Sequence, residues 1–305
     1  MKLAFINGKG GCGKTTSIFH IAGVLSRSDE KVLVIDFDKQ RNSTDTLLMN
    51  ALERPKETVY DALCGSPLEN AVSKALFQSR GNATPKYYGV DCMASDMRLE
   101  DEAALSQIDS ERFGIAMDAF IRERGYSWVL VDMPPSSKTL NDICFSHVVD
   151  FLIVPFSSDV FSVSGYGDIM DTVQRARNPN ARLNIIGVYL ARYMPNCAVD
   201  RYIRQQLLKY DTFIDIQIPL AADIREAVMF GRPISFYRER VMHSWLSEDG
   251  MEKLKNDGSF VTVVKTQNTD AKKHLVKHVQ PSIHAYEKLV AHIQKSVSVL
   301  LYGEE

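Results

Sequence analysis

Nothing in this chain provides a membrane span. No stretch approaches the ~20 consecutive apolar residues that cross a bilayer, although apolar residues make up 45% of the 305 positions. Cysteine is scarce and odd in number. Cys12, Cys64, Cys92, Cys144 and Cys197 are scattered, and no pair has metal-ligand spacing. That excludes a disulfide framework and a zinc ribbon, and it predicts reduced thiols in the cytoplasm. A strongly basic field is also missing. The formal charge is −2, so any contact with nucleic acid has to come from a local patch. There are no internal repeats and no low-complexity tract. The chain enters a strand pattern at once, so no signal peptide is expected. The length and composition suit one large α/β domain over 1–305.

What is present is concentrated near the start. Gly8-Lys9-Gly10-Gly11-Cys12-Gly13-Lys14-Thr15-Thr16 follows a short apolar strand pattern at 2–7 and precedes an apolar-faced helix pattern at 17–25. Strand, glycine loop and helix form the setting of a phosphate-binding loop. The glycines let successive backbone N–H groups face one anion, and the helix adds its positive end. In that setting Lys14 reaches the β- and γ-phosphates and the Thr15 hydroxyl holds Mg²⁺, so ATP with Mg²⁺ is the expected ligand. Cys12 fills the variable position, where a small residue suffices. Two further apolar runs end in acids. Residues 31–35 lead into Asp36-Phe37-Asp38, and residues 128–131 lead into Asp132. β-Branched runs separated by helical patterns predict a mostly parallel, doubly wound sheet with helices on both faces and ligands at the strands' carboxyl ends.

The second loop lysine, Lys9 in Lys-Gly-Gly-x-Gly-Lys-Thr-Thr, resembles the deviant Walker A motif of the ParA/MinD family of partition ATPases, division-site selectors and cargo positioners. The resemblance extends to Asp36-Phe37-Asp38-Lys39-Gln40, where the family pattern is Asp-x-Asp-Pro-Gln, and to Asn42-Ser43-Thr44. Lys39 replaces the usual proline and Arg41 the usual glycine. Residues 89–95 with Leu99 and Glu102, Asp132-Met133-Pro134-Pro135-Ser136, and the Ile218-Pro219 turn with Gly231-Arg232-Pro233 also fit. Together these matches cover about 1–237 and a final helix at 282–299. The resemblance implies that Lys9 reaches the partner's nucleotide in an ATP-dependent homodimer. It implies that Asp38 orients the attacking water, that Asp36 supports the metal region and Asp132 reaches Mg²⁺, and that the loop after Pro219 frames the adenine. A ParB-like adaptor is the implied partner.

The rest of the chain is less specific. The interval between Gly65 and Gly89 is expected as loop, 111–124 as a surface helix, and 162–177 as a helix near the family's dimer face. Residues 238–280 form a polar insert, with a strand or hairpin pattern at 260–264 and a basic run of Lys265, Lys272, Lys273, Lys277, His274 and His278. The two histidines are one helical turn apart but lack a third ligand. Arg201, Arg204, Lys209, Arg225 and Arg232 are the candidate DNA contacts, because the Ile-Pro turn itself reads Leu220-Ala221-Ala222-Asp223, without basic residues. The expected function is a ParA-like ATPase that partitions or positions DNA or another cargo. Alternatives are a MinD-like membrane-associated regulator and an accessory of conjugative transfer. The acidic tip Glu304-Glu305 speaks against anionic lipid, and an iron–sulfur reductase would need more than Cys144 after Asp132.

Overall fold

The computed structural model describes residues 1–78, 84–135, 137–157, 173–174, 180, 182–237 and 269–303, with 269–280 described by backbone alone. The strands are β1 (Lys2–Phe5), β2 (Val32–Asp36), β3 (Val72–Phe77), β4 (Lys86–Met93), β5 (Trp128–Asp132), β6 (Phe151–Phe156), β7 (Asn184–Tyr193) and β8 (Phe213–Pro219). They form one sheet in the order β3-β4-β2-β5-β1-β6-β7-β8. Every pairing is parallel except β3 with β4. The doubly wound α/β expectation therefore holds.

The central strands are apolar because both of their faces are covered. Residues alternate between two layers. Leu3, Phe5, Val34 and Leu130 face α1 (Lys14–Ser26), whose Ile18, Phe19 and Ile21 fill that side. Ala4, Ile6, Ile35 and Val131 face the opposite layer, which includes Met117 and Phe120 of the helix Ser110–Arg124. The surface helix expected at 111–124 is thus present, and its apolar stripe is buried.

Two expectations need correction. The interval between Gly65 and Gly89 is not all loop. It contains β3 and the start of β4, an antiparallel pair at the sheet edge. β3 buries only Ala75 and Phe77, so its apolar signal is weak. The final helix is longer than 282–299 and runs Thr269–Tyr302, with Pro281 inside it. Its backbone takes in Lys272, Lys273, His274, Lys277 and His278. The strand pattern at 260–264 and the rest of the insert lie outside the described residues, as does nearly all of the helix expected at 162–177.

The long C-terminal helix packs on α1 in the core, where the rings of His20 and Tyr286 meet. His20 is fully buried, accepts the Ile234 N–H at Nδ1 (3.1 Å), and lies against the Tyr286 ring at 4.9 Å between centroids. Burial pushes its pKa down to about 3. The unfolded chain takes up this proton near pH 6.5 and the folded chain does not, so the contribution is complete above pH 6.5 and is lost as pH falls. The loss should be about 2 kcal/mol at pH 5. Urea unfolding of wild type and His20→Gln checks this. The stability difference between them should shrink by about that amount from pH 7.5 to pH 5, and a constant difference would refute the assignment.

Candidate active site

The loop between β1 and α1 closes on left-handed glycines. Gly11 has φ 75° and Gly13 has φ 98°. A Cβ on Gly13 would also sit 3.3 Å from the Ala191 side chain, so both backbone and space require glycine there. Asn7 anchors the loop from below: its amide donates to the Pro155 carbonyl (2.8 Å) and its Oδ1 accepts the Lys9 N–H (2.9 Å). Lys14 is buried and folds back over the loop, donating to the carbonyls of Asn7 (3.1 Å) and Lys9 (3.4 Å). This is a cation held at the centre of an anion cradle.

Two carboxylates lie side by side behind the loop. Asp36 and Asp132 are register partners at the ends of β2 and β5, and both are fully buried. Asp132 Oδ2 accepts the hydroxyls of Thr15 (2.6 Å) and Ser43 (2.8 Å). Its Oδ1 is buried without a hydrogen-bond partner. A hydroxyl beside a half-satisfied carboxylate suits a divalent cation that takes its remaining ligands from phosphate and water. The described residues hold no cluster of three His, Cys, Asp or Glu that would form an all-protein cage. Asp36 is occupied otherwise. Its Oδ1 accepts the Asp38 N–H (3.0 Å), and its Oδ2 accepts the N–H and hydroxyl of Thr44 (2.8 Å each). Asp36 thus braces the loop that carries Asp38, which leaves Asp132 and Thr15 as the ligand candidates. Burial raises both carboxyl pKa values, and for Asp36 the neighbouring Asp132 adds to the rise.

The loop after β2 wraps around Asp38. Its carboxylate caps the Gln40 N–H (2.9 Å), and its carbonyl accepts the Arg41 N–H (2.8 Å) and the Ser95 hydroxyl (2.6 Å). Arg41 holds a left-handed φ of 60°, at the position where the resembled pattern has glycine. The short helix α2 (Asn42–Leu47) follows.

These parts line one cavity of about 870 Å³. Gly10, Gly11, Cys12, Gly13, Lys14, Thr15 and Thr16 form one wall, with Asp38 and Lys39 nearby. Pro219, Leu220, Ile224 and Val228 supply an apolar wall, as a nucleobase needs. Gly8 is exposed and Lys9 half-exposed, on the loop's outer arc. One contributor carries no sequence motif. Arg192, at the end of β7 with φ 59°, donates to the Gly11 carbonyl (2.6 Å) and lines the cavity. A non-glycine residue in that conformation was its only unusual feature, and sequence does not display it.

The five candidate DNA contacts separate. Arg232 is buried, with its guanidinium over the Tyr237 ring at 4.2 Å, so it is not a surface contact. Arg204 is tied by two hydrogen bonds to Asp215, which neutralises it. Arg225 is exposed but lines the cavity. Arg201 and Lys209 are exposed at the helix Ala198–Leu207 and just beyond it.

The family described as an AAA domain matches residues 1–185. The chromosome partitioning protein ParA of Caulobacter vibrioides is 31% identical over 242 residues, which cover 77% of this chain and 86% of that protein. The chromosome-partitioning ATPase Soj of Treponema pallidum is 30% identical over 241 residues, covering 77% and 89%. Among solved structures, the septum site-determining protein MinD of Pyrococcus horikoshii, complexed with Mg-ADP, has a TM-score of 0.58 at 18% identity. The alignment covers 85% of this chain and 99% of that one, a likeness of fold.

The raised carboxyl pKa values make cation binding pH-dependent. Asp132 must be ionised to ligate, and burial favours its protonated form. The Mg²⁺-dependent part of nucleoside triphosphate affinity should therefore strengthen as pH rises from about 5 to about 8, with protons released on binding. Calorimetry in buffers of different ionisation enthalpy reads both. Asp132→Asn should abolish the Mg²⁺-dependent part, and a pH-independent Mg²⁺ effect would refute the assignment.

Proposed function

This chain belongs to the ParA/MinD-type family of P-loop ATPases, and from that premise we propose that it dimerises on ATP and Mg²⁺ and uses hydrolysis to partition or position DNA or another cargo. The observation that carries the reading is the convergence of Lys14, Thr15 and Asp132 beneath the glycine loop, with Asp38 on the same cavity wall. On binding ATP, Lys14 exchanges two neutral carbonyls for phosphate oxygens, a charge-assisted contact. The backbone N–H groups of residues 10–16 face the β-phosphate. Thr15 and Asp132 would hold Mg²⁺, which would supply positive charge against the phosphates. Asp38 aligns water for in-line attack on the γ-phosphate, and Asp36 keeps Asp38 in place. The turn at Pro219 frames the adenine. Lys9, on the outer arc, reaches the nucleotide of a second copy.

A ParB-like adaptor that stimulates turnover, in the cytoplasm, completes this reading, with the nucleoid as the surface for positioning. The exposed apolar end of the long helix, Val299 to Tyr302, favours a MinD-like membrane contact as the second reading.

Three substitutions separate the roles. Lys14→Ala should weaken ATP binding on the order of a hundredfold. Asp38→Ala should bind and dimerise but lose turnover by roughly 10²–10⁴-fold. Lys9→Ala should bind ATP yet fail to dimerise. A half-exposed cation contributes less in a lone subunit than one desolvated against phosphate. Nucleotide affinity, mass in solution with ATP, and phosphate release read all three. A Lys9→Ala protein that dimerises and hydrolyses ATP normally would sink the dimer mechanism. ATP-dependent retention on nonspecific DNA, with anionic liposomes in parallel, decides the surface. Arg201→Glu with Lys209→Glu should lower DNA retention for all sequences alike.

A further inference from the structure

The cavity wall carries a lysine that the phosphate cradle does not use. Lys39 directly follows Asp38 and lines the same cavity as Lys14 and Thr15. Its Nζ lies 2.5 Å from Oε1 of Glu100, which lines the cavity too. Both ends of this ion pair are held by braced backbone. On one side, Asp36, Gln40, Arg41 and Ser95 fix Asp38, the residue next to Lys39. On the other, Glu100 ends the tight turn Met97–Glu100. Arg98 pins that turn by hydrogen bonds to Asp61 (2.8 Å) and Asp96 (3.0 Å) and by stacking on Tyr60. The two side chains meet because their supports bring them together.

The pair itself is weak. Lys39 and Glu100 keep 35% and 62% of their side-chain surface exposed, and solvent screens such pairs strongly. A polyphosphate in the cavity offers the same ammonium several negative oxygens inside protein walls, a stronger partner than one exposed carboxylate. Lys39 shares its loop with Asp38, so it addresses the end of the nucleotide where the bond breaks, which ADP lacks. The resembled pattern has proline here, which carries no charge.

We propose that Lys39 is a cis-acting cation for the γ-phosphate of ATP, masked by Glu100 until the nucleotide binds. This inference depends on the ATP reading above. Lys39 leaves Glu100 on binding and donates to a γ-phosphate oxygen. It thereby counters the negative charge that must be tolerated during in-line attack, and Glu100 competes with ATP for the same ammonium. The two side chains consequently act in opposite directions, whereas the partners of a merely structural ion pair act in the same direction.

The test measures ATP·Mg²⁺ and ADP·Mg²⁺ affinity and phosphate release at saturating ATP for wild type, Lys39→Ala, Lys39→Gln, Lys39→Arg, Glu100→Gln and the Lys39→Ala/Glu100→Gln double variant. Lys39→Ala and Lys39→Gln should leave ADP affinity unchanged, weaken ATP affinity several-fold, and slow turnover on the order of tenfold. Lys39→Arg should retain most of both. Glu100→Gln should tighten ATP affinity several-fold without changing ADP, and the double variant should match Lys39→Ala. Melting temperatures confirm that each variant is folded. If Lys39→Ala and Glu100→Gln shift ATP affinity in the same direction, or Lys39→Ala weakens ATP and ADP equally or neither, the proposal is wrong. If wild type binds neither nucleotide, the ATP reading fails with it.

Discussion

The carboxylate of Asp132, shared between the hydroxyls of Thr15 and Ser43, joins three segments that are far apart in sequence. Thr15 opens the helix after the glycine loop, Ser43 belongs to the helix after the loop that carries Asp38, and Asp132 ends the strand beside β1. This contact sets the distance between the phosphate cradle and the loop carrying Asp38. Its partner across the register, Asp36, does the same for the loop itself, taking N–H and hydroxyl donors from Asp38 and Thr44. Burial makes both carboxyl groups hold their protons more tightly than usual, and for Asp36 the neighbouring Asp132 adds to the effect. Under the proposed reading, a divalent cation offsets that cost. The Oδ1 of Asp132, buried without a hydrogen-bond partner, is the atom such a cation would take.

Two of the three left-handed non-glycine residues among the described residues flank this site. Arg41 and Arg192 both hold left-handed backbone, at φ 60° and φ 59°, a conformation that costs a non-glycine residue about 1–2 kcal/mol. Both are next to the cavity, and each is held by a bond to a functional loop: Arg41 N–H to the Asp38 carbonyl, Arg192 to the Gly11 carbonyl. Strain that persists beside a site needs surroundings that enforce it. Here the enforcing contacts run to Asp38 and to the glycine loop.

The glycine loop and the strands ending in Asp36 and Asp132 were legible because their signals are local. Continuous apolar runs mark strands covered on both faces, and two of the glycines that mark the loop, Gly11 and Gly13, hold backbone that favours glycine. β3 was not legible, because an edge strand with Lys74 exposed and only Ala75 and Phe77 buried looks like a polar connection. Charge was the least legible property. Arg204 and Arg232 count as cations in a sequence, but Asp215 neutralises one and Tyr237 covers the other. Neither partner can be inferred from spacing. Arg192 was missed for a related reason: its role depends on a backbone conformation and on a carbonyl 181 positions away.

The exposure of the loop's outer arc bears on why a single subunit would be a poor catalyst. Lys14 and Asp132 are buried, whereas Gly8, Gly10 and Gly11 are exposed. Hydrogen-bond donors and charges stabilise a transition state most strongly where water is excluded. A nucleotide in this cavity would be gripped from its inner side and solvated on its outer side. Binding would need only the inner side; efficient turnover would also need the outer side to be covered by something that brings its own positive charge. A second copy presenting Lys9 meets both requirements with residues already in the chain. Under the proposed reading, slow hydrolysis by the lone subunit follows from this division of the site between two copies.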